Sequence, residues 1–104
     1  MRKRLIYITA ASTEEAAKIG RLLVEERLAA CANLLGRISS IYWWEGKLQE
    51  EEEAALIVKT TEALVERVVE RVKQVHSYSC PCVVALPIEG GNPEFLDWIG
   101  SETD

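Results

Sequence analysis

A two-layer α+β sandwich with the element order β-α-β-β-α-β, followed by a short C-terminal helix, is the fold class this 104-residue sequence predicts. Three observations point to it. Two amphipathic segments, beginning at Ala16 and Leu64, carry apolar residues at helical spacing. Four apolar or alternating runs around them read as strands. Glu45-Gly46 closes the middle two runs into a long hairpin. That order is the ferredoxin-like arrangement, built as one domain over residues 1–104, and its central hairpin is unusually long.

Each element has a local reason. Leu5 to Ala11 is a short, apolar and β-branched strand with a basic lead-in, Met1-Arg2-Lys3-Arg4. The lead-in imitates the start of a signal peptide, but the apolar run is short and passes directly into Ser12-Thr13-Glu14-Glu15. Ser12 with Glu15 forms a capping box that opens a helix, whose apolar side runs through Ala16, Ile19, Leu23, Val24 and Leu28. Gly20 inside that helix costs about 1 kcal/mol relative to Ala, so a close approach of helix to sheet is expected there.

Ala30 to Lys47 reads as one long strand with a bend. Ile38, Ser40, Tyr42 and Trp44 fall on one face, and Ser39, Ile41, Trp43 and Glu45 on the other. Large aromatic surface thus points both ways, and a chain of this length covers one face, not two. Burial of the second face against copies of the chain is the expected remedy. The rival reading is a tryptophan pair that stacks on bases or sugars.

The return strand, Leu48 to Lys59, is acidic near the turn at Glu50-Glu51-Glu52-Glu53 and continuously apolar from Ala54 to Val58, as for a strand buried on both faces. Four adjacent carboxylates suit a solvated arm that resists edge-to-edge aggregation better than a cation site, because a strand sends alternate side chains to opposite sides. Thr60 or Thr61 is expected to cap the second helix, with Leu64, Val65, Val68, Val69, Val72 and Val75 as its apolar stripe and an end near His76. Residues 77–81 form a loop, Cys82 to Ile88 a buried strand with Pro87 at an edge or at the end of pairing, and Asn92-Pro93 the start of the terminal helix.

A net charge of −5 argues against nucleic acid and anionic membranes as partners, and no apolar run is long enough to span a bilayer. Three cysteines, Cys31, Cys80 and Cys82, in a chain with a core of its own indicate a reducing compartment, hence the cytoplasm. An RNA-recognition module would need an aromatic Lys/Arg-Gly-Phe/Tyr pattern where this chain has Glu-Glu-Glu-Glu-Ala-Ala-Leu-Ile-Val. A copper-chaperone domain would need Cys-x-x-Cys where it has Ala10-Ala11-Ser12-Thr13. With a single His and no Gly-x-Ser-x-Gly or phosphate loop, the chain is not expected to be an enzyme. A thiol nucleophile at Cys80 or Cys82 is the one catalytic alternative, and it would need a lowered thiol pKa.

What remains is binding. Cys80 and Cys82, two apart in extended chain, with His76 four residues earlier, supply the S and N donors that Cu(I) or zinc prefer. Set against that, Cys82 and Cys31 can serve as small core residues, and His76 can hydrogen-bond the last helical carbonyls. Lys59, ending a buried strand, calls for an anion or a carbonyl.

The segments Glu25 to Asn33, Ser40 to Lys47, Val58-Lys59-Thr60, His76-Ser77-Tyr78, Gly91-Asn92 and Leu96 to Ile99 together resemble the CutA divalent-cation tolerance family over nearly the whole chain. The resemblance implies a ferredoxin-like homotrimer, similar in architecture to PII signalling proteins, with long hairpins that join sheets between subunits. It also implies a link to tolerance of copper and other divalent cations, no established catalysis, and an inter-subunit pocket matched here by Cys31, Trp44, Lys59, His76, Tyr78 and Trp98. Where the family usually has His-Pro-Tyr-Glu-x-Pro-Glu, this chain has His76-Ser77-Tyr78-Ser79-Cys80-Pro81-Cys82: a proline and two carboxylates are absent, and two thiols appear. The expected function is a cytoplasmic homotrimer that binds copper, another divalent cation or a small ligand at inter-subunit clefts, with no obligatory cofactor. The alternative is a non-catalytic trimeric scaffold or signalling protein that presents surfaces to a protein partner.

Overall fold

The structure is a computed structural model and describes residues 2–104. It is built from β1 (Lys3–Ala10), α1 (Thr13–Glu25), β2 (Cys31–Trp44), β3 (Lys47–Thr61), a 3-10 turn (Glu62–Leu64), α2 (Val65–Val75), β4 (Val83–Ile88) and α3 (Pro93–Ser101). The strands form one antiparallel sheet in the order β2-β3-β1-β4. The ferredoxin-like α+β expectation therefore holds. Ile6 and Ile8 of β1 stand opposite Val58 and Leu56 of β3, and with Ile19 and Leu23 of α1 and Val68 and Val72 of α2 they form a fully buried core between sheet and helices. The hairpin of β2 and β3 runs on past the helices, stretching the molecule to 44 Å along its long axis.

β1 starts at Lys3 rather than Leu5, so part of the basic lead-in belongs to the sheet. The aliphatic stem of Lys3 lies against Gly100 and is largely buried, while Arg4 reaches the Glu62 carboxylate at 3.6 Å. In α1 the Ser12 hydroxyl accepts from the Glu15 N–H at 3.1 Å, as the capping box requires. The Glu15 carboxylate departs from that box and accepts from the Ala11 N–H instead, at 2.8 Å.

α1 stops at Glu25, three residues short of Leu28. Arg27 takes φ +62°, and the Leu28 and Arg27 N–H groups donate to the Leu23 and Val24 carbonyls, which is a Schellman ending. Arginine stands where glycine is usual, so the sequence carried no stop signal. Its guanidinium is held by the Glu102 carboxylate at 2.6 Å.

The expected close approach at Gly20 is present, since a Cβ there would lie 3.1 Å from the Ala32 Cβ. The bend in β2 is a bulge: Leu34 pairs with Leu56 and Gly36 with Ala55, leaving Leu35 extra, and Gly36 adopts φ +85°. At the tip, Glu45 and Gly46 both have positive φ, as a two-residue type I′ turn demands.

Three expectations need correction. Neither threonine caps α2 through its side chain. The Thr60 hydroxyl donates to the Leu28 carbonyl at 2.6 Å, the Thr61 hydroxyl is buried without a hydrogen bond, and the 3-10 turn precedes the α-helix. The apolar half of β3 is sealed on the helix side, but on the opposite face Ile57 is only half-buried. β4 begins at Val83 and is an edge strand rather than a buried one. Val84 and Leu86, opposite Tyr7 and Leu5, are 50% and 48% exposed on the helix-free face. Pro87, paired with Arg4, sits on that edge strand, where a missing N–H is tolerated.

Candidate functional site

The helix-free face of the sheet carries the alternate residues Leu5, Tyr7 and Thr9 of β1 and Glu51, Glu53 and Lys59 of β3, because the core-facing set takes the others. On β2, Ser40 stands opposite Glu51 and Tyr42 opposite Gln49, which places Tyr42 and Trp44 on this face too. Together with the loop before β4 they enclose a cleft of about 620 Å³.

That loop is tied down at both ends. The His76 Nδ1 accepts from the Tyr78 N–H at 3.0 Å, which leaves the proton on Nε2 to be donated to the Thr9 carbonyl at 2.8 Å. The Tyr78 ring tilts against the His76 ring with centroids 4.8 Å apart, and its hydroxyl donates to Glu53 at 2.9 Å. At the far end the Thr9 N–H donates to the Cys82 carbonyl. Burial pushes the Tyr78 hydroxyl well above the ordinary tyrosine value, and the bond to Glu53 and the charges of Glu53 and Glu51 add to it. Tyr42 shifts in the same direction, through desolvation first and then through Glu51 and Glu53.

Glu15 fastens the loop to α1. Its carboxylate accepts from the Ser77 N–H at 2.9 Å and the Ser77 hydroxyl at 3.0 Å, besides the Ala11 N–H. Burial pushes its carboxyl up, but the bonds from Ala11 and Ser77, with the nearby His76, outweigh that and leave it below the ordinary 4.5. The stabilisation is therefore complete above the ordinary value and is lost as pH falls through the lower folded-state value. Glu15→Ala should cost about 1–2 kcal/mol near neutrality, a difference from the unsubstituted chain that shrinks in urea melts as the pH is taken below that value. An unchanged difference would mean that these bonds do not set the loop.

A second cluster lies toward the other end of the same face. The Lys59 ammonium donates to the Asn33 amide oxygen at 2.5 Å, stands 3.8 Å from the Cys31 sulfur, and lies 5.9 Å from the centroid of the Phe95 ring, which packs on Trp98. Lys59 thus finds a carbonyl, one of the two partners its position called for. Glu53 and Lys59 are six residues apart on one strand, about 20 Å at strand rise.

The sequence-derived residues therefore fall into two groups. Trp44 and Tyr78 border the cleft, with His76 holding Tyr78 in place. Cys31, Lys59 and Trp98 belong to the second cluster. Cys80 and Cys82 line the cleft and are free and exposed. The expected three-donor set of His76, Cys80 and Cys82 is not assembled: both ring nitrogens of His76 are occupied by backbone, and no group of three or more His, Cys, Asp or Glu among the described residues is arranged to hold a metal. Sequence reading also missed Tyr42, Glu53, Glu15, Asn33 and Phe95. Tyr42 and Glu53 share a face by counting back from the Glu45-Gly46 turn, whereas the loop bonds of Glu15 have no sequence signal.

The family described as CutA1 divalent ion tolerance protein matches residues 4–102. The divalent-cation tolerance protein CutA of Archaeoglobus fulgidus is 52% identical over 94 residues, covering 90% of this chain and 91% of its own. That of Thermus thermophilus is 46% identical and covers 97% and 98%. Rice protein CutA 1, chloroplastic, is 42% identical over 95% of this chain, but the chain spans only 56% of the rice protein's length. Among solved structures, rice CutA1 superposes with a TM-score of 0.97 at 40% identity, covering 100% of this chain and 95% of that one. The Archaeoglobus structure, described as a periplasmic divalent cation tolerance protein, gives 0.94 at 48% identity, covering 98% and 99%.

Proposed function

Since the chain belongs to the CutA1 divalent ion tolerance family, we propose that it works as a non-catalytic homotrimer holding a divalent cation, copper or a small ligand in clefts between subunits. The observation that carries this reading is the division of the family-matched residues. Trp44 and Tyr78 stand at one end of the helix-free face, and Cys31, Lys59 and Trp98 stand about 20 Å away at the other. A neighbouring copy docked on this face would bring one group against the other. The same face exposes Val84 and Leu86, and the far side of the hairpin exposes Ile41, Trp43 and Leu48 at 66%, 72% and 57%, surface of the kind that closes on assembly.

Binding rather than turnover is supported by His76. It is the single histidine, and both its ring nitrogens are engaged by backbone, so it has no free nitrogen to act as a general base. Three free thiols favour the cytoplasm, and no helix among the described residues is long and apolar enough to cross a membrane.

The test is metal tolerance in cells that lack the gene and express this chain. Trp44→Ala in the one group and Lys59→Ala in the other should each lower growth in graded copper, zinc and cobalt while native mass stays unchanged. Tolerance indifferent to both substitutions rejects the cleft and favours the scaffold, which would instead respond to surface-charge changes.

A further inference from the structure

We infer that Cys80 and Cys82 form a two-thiol site for a monovalent thiophilic cation of the Cu(I) or Ag(I) class, without His76. The inference rests on reading this face as cation-binding, but it does not require the trimer.

Both thiols are free and exposed, and both line the 620 Å³ cleft, on either side of Pro81. Proline fixes one backbone angle between them. The loop that carries them is anchored before Cys80 by the His76, Ser77 and Tyr78 bonds and after it by the Cys82 carbonyl on the Thr9 N–H. Little chain entropy is left to lose on ligation, which is the condition for a preorganised site.

The donor count selects the cation. Zinc takes four ligands in structural sites, and hard cations take six or more oxygens. Among the described residues no group of three or more His, Cys, Asp or Glu is arranged to hold a metal, and the single histidine is committed to backbone. Two thiolates satisfy a soft cation of d10 configuration, which accepts two-coordinate ligation. Tyr7, Tyr42, Glu51, Glu53 and Tyr78 also line the cleft, with the hydroxyls of Thr9, Ser40 and Ser79, and no lysine or arginine among its lining residues opposes a cation. Binding exchanges two S–H protons for one metal ion. The protons leave to solvent, no electron is transferred, and the bis-thiolate complex carries a single negative charge.

The experiment is anaerobic competition of the reduced full chain for Cu(I) supplied as its bicinchoninate complex, repeated with Ag(I), with native mass recorded on the same samples. One Cu(I) per chain is expected. Cys80→Ser and Cys82→Ser should each weaken binding by at least about 100-fold, with unchanged melting since both side chains are exposed. Cys31→Ser should leave it intact, since its sulfur lies beside Lys59 in the second cluster. Retention in either of the first two variants, loss in Cys31→Ser, or no binding by the unsubstituted chain overturns the assignment. A trimer that ignores Cu(I) removes only the thiol pair; a monomer that binds it removes only the assembly.

Discussion

Val84→Lys combined with Leu86→Lys should release single, folded subunits. The two side chains stand opposite Tyr7 and Leu5 on the helix-free face and are about half exposed in one chain. Full burial of a Val or Leu is worth about 1.5–3 kcal/mol and half of each is already covered in one chain, so losing the remainder of both would cost about 1.5–3 kcal/mol per subunit before the added penalty of burying two ammonium groups. At about 1.4 kcal/mol per decade, that weakens association by roughly 10- to 100-fold, and the buried ammonium groups weaken it further. The core of Ile6, Ile8, Leu56, Val58, Leu23 and Val72 lies on the other side of the sheet and is untouched. Far-UV dichroism should therefore persist while light scattering reports one chain. Retention of the full assembly would show that another surface holds the copies together.

Gly20→Val should destabilise the subunit by about 1–3 kcal/mol, the range for forcing methyl groups into a packed core. Helix propensity alone points the other way, because a side chain at a helical glycine commonly gains up to about 1 kcal/mol. Contact decides the sign. The first added carbon already meets the Ala32 Cβ at 3.1 Å and a Leu56 methyl at 3.3 Å, and Ala32 is a stub on a paired strand with no rotamer to yield. Gly20→Ala separates the two effects, its propensity gain being opposed by that one contact. Urea unfolding measures both variants, and a Gly20→Val chain as stable as the parent would mean that α1 lifts freely from the sheet.

Periodicity was enough for the fold, since the alternation in β1 and the stripe of α2 each have one dominant burial direction. Boundaries failed where a side chain substitutes for the usual residue. Arg27 ends α1 in a glycine conformation because Glu102, 75 residues away, holds its guanidinium. The site was legible in part. Counting back from the Glu45-Gly46 turn puts Tyr42, Trp44, Glu51 and Glu53 on one face. The same count continued to Cys31 gives the wrong face, because the bulge at Leu35 shifts the register by one and flips every residue before it. That flip is what sets Cys31 and Asn33 beside Lys59. Its only sequence mark is Gly36, whose positive φ admits the bulge. His76 was legible as a helix end but not as the clamp on Tyr78, since the Thr9 carbonyl it reaches is 67 residues distant.

The native mass of the unsubstituted protein at successive dilutions most directly probes whether neighbouring copies complete this surface. Three chains of 11.7 kDa each should remain together well below micromolar concentration. A folded particle of 11.7 kDa that stays soluble with its tryptophan hairpin bare would contradict the account.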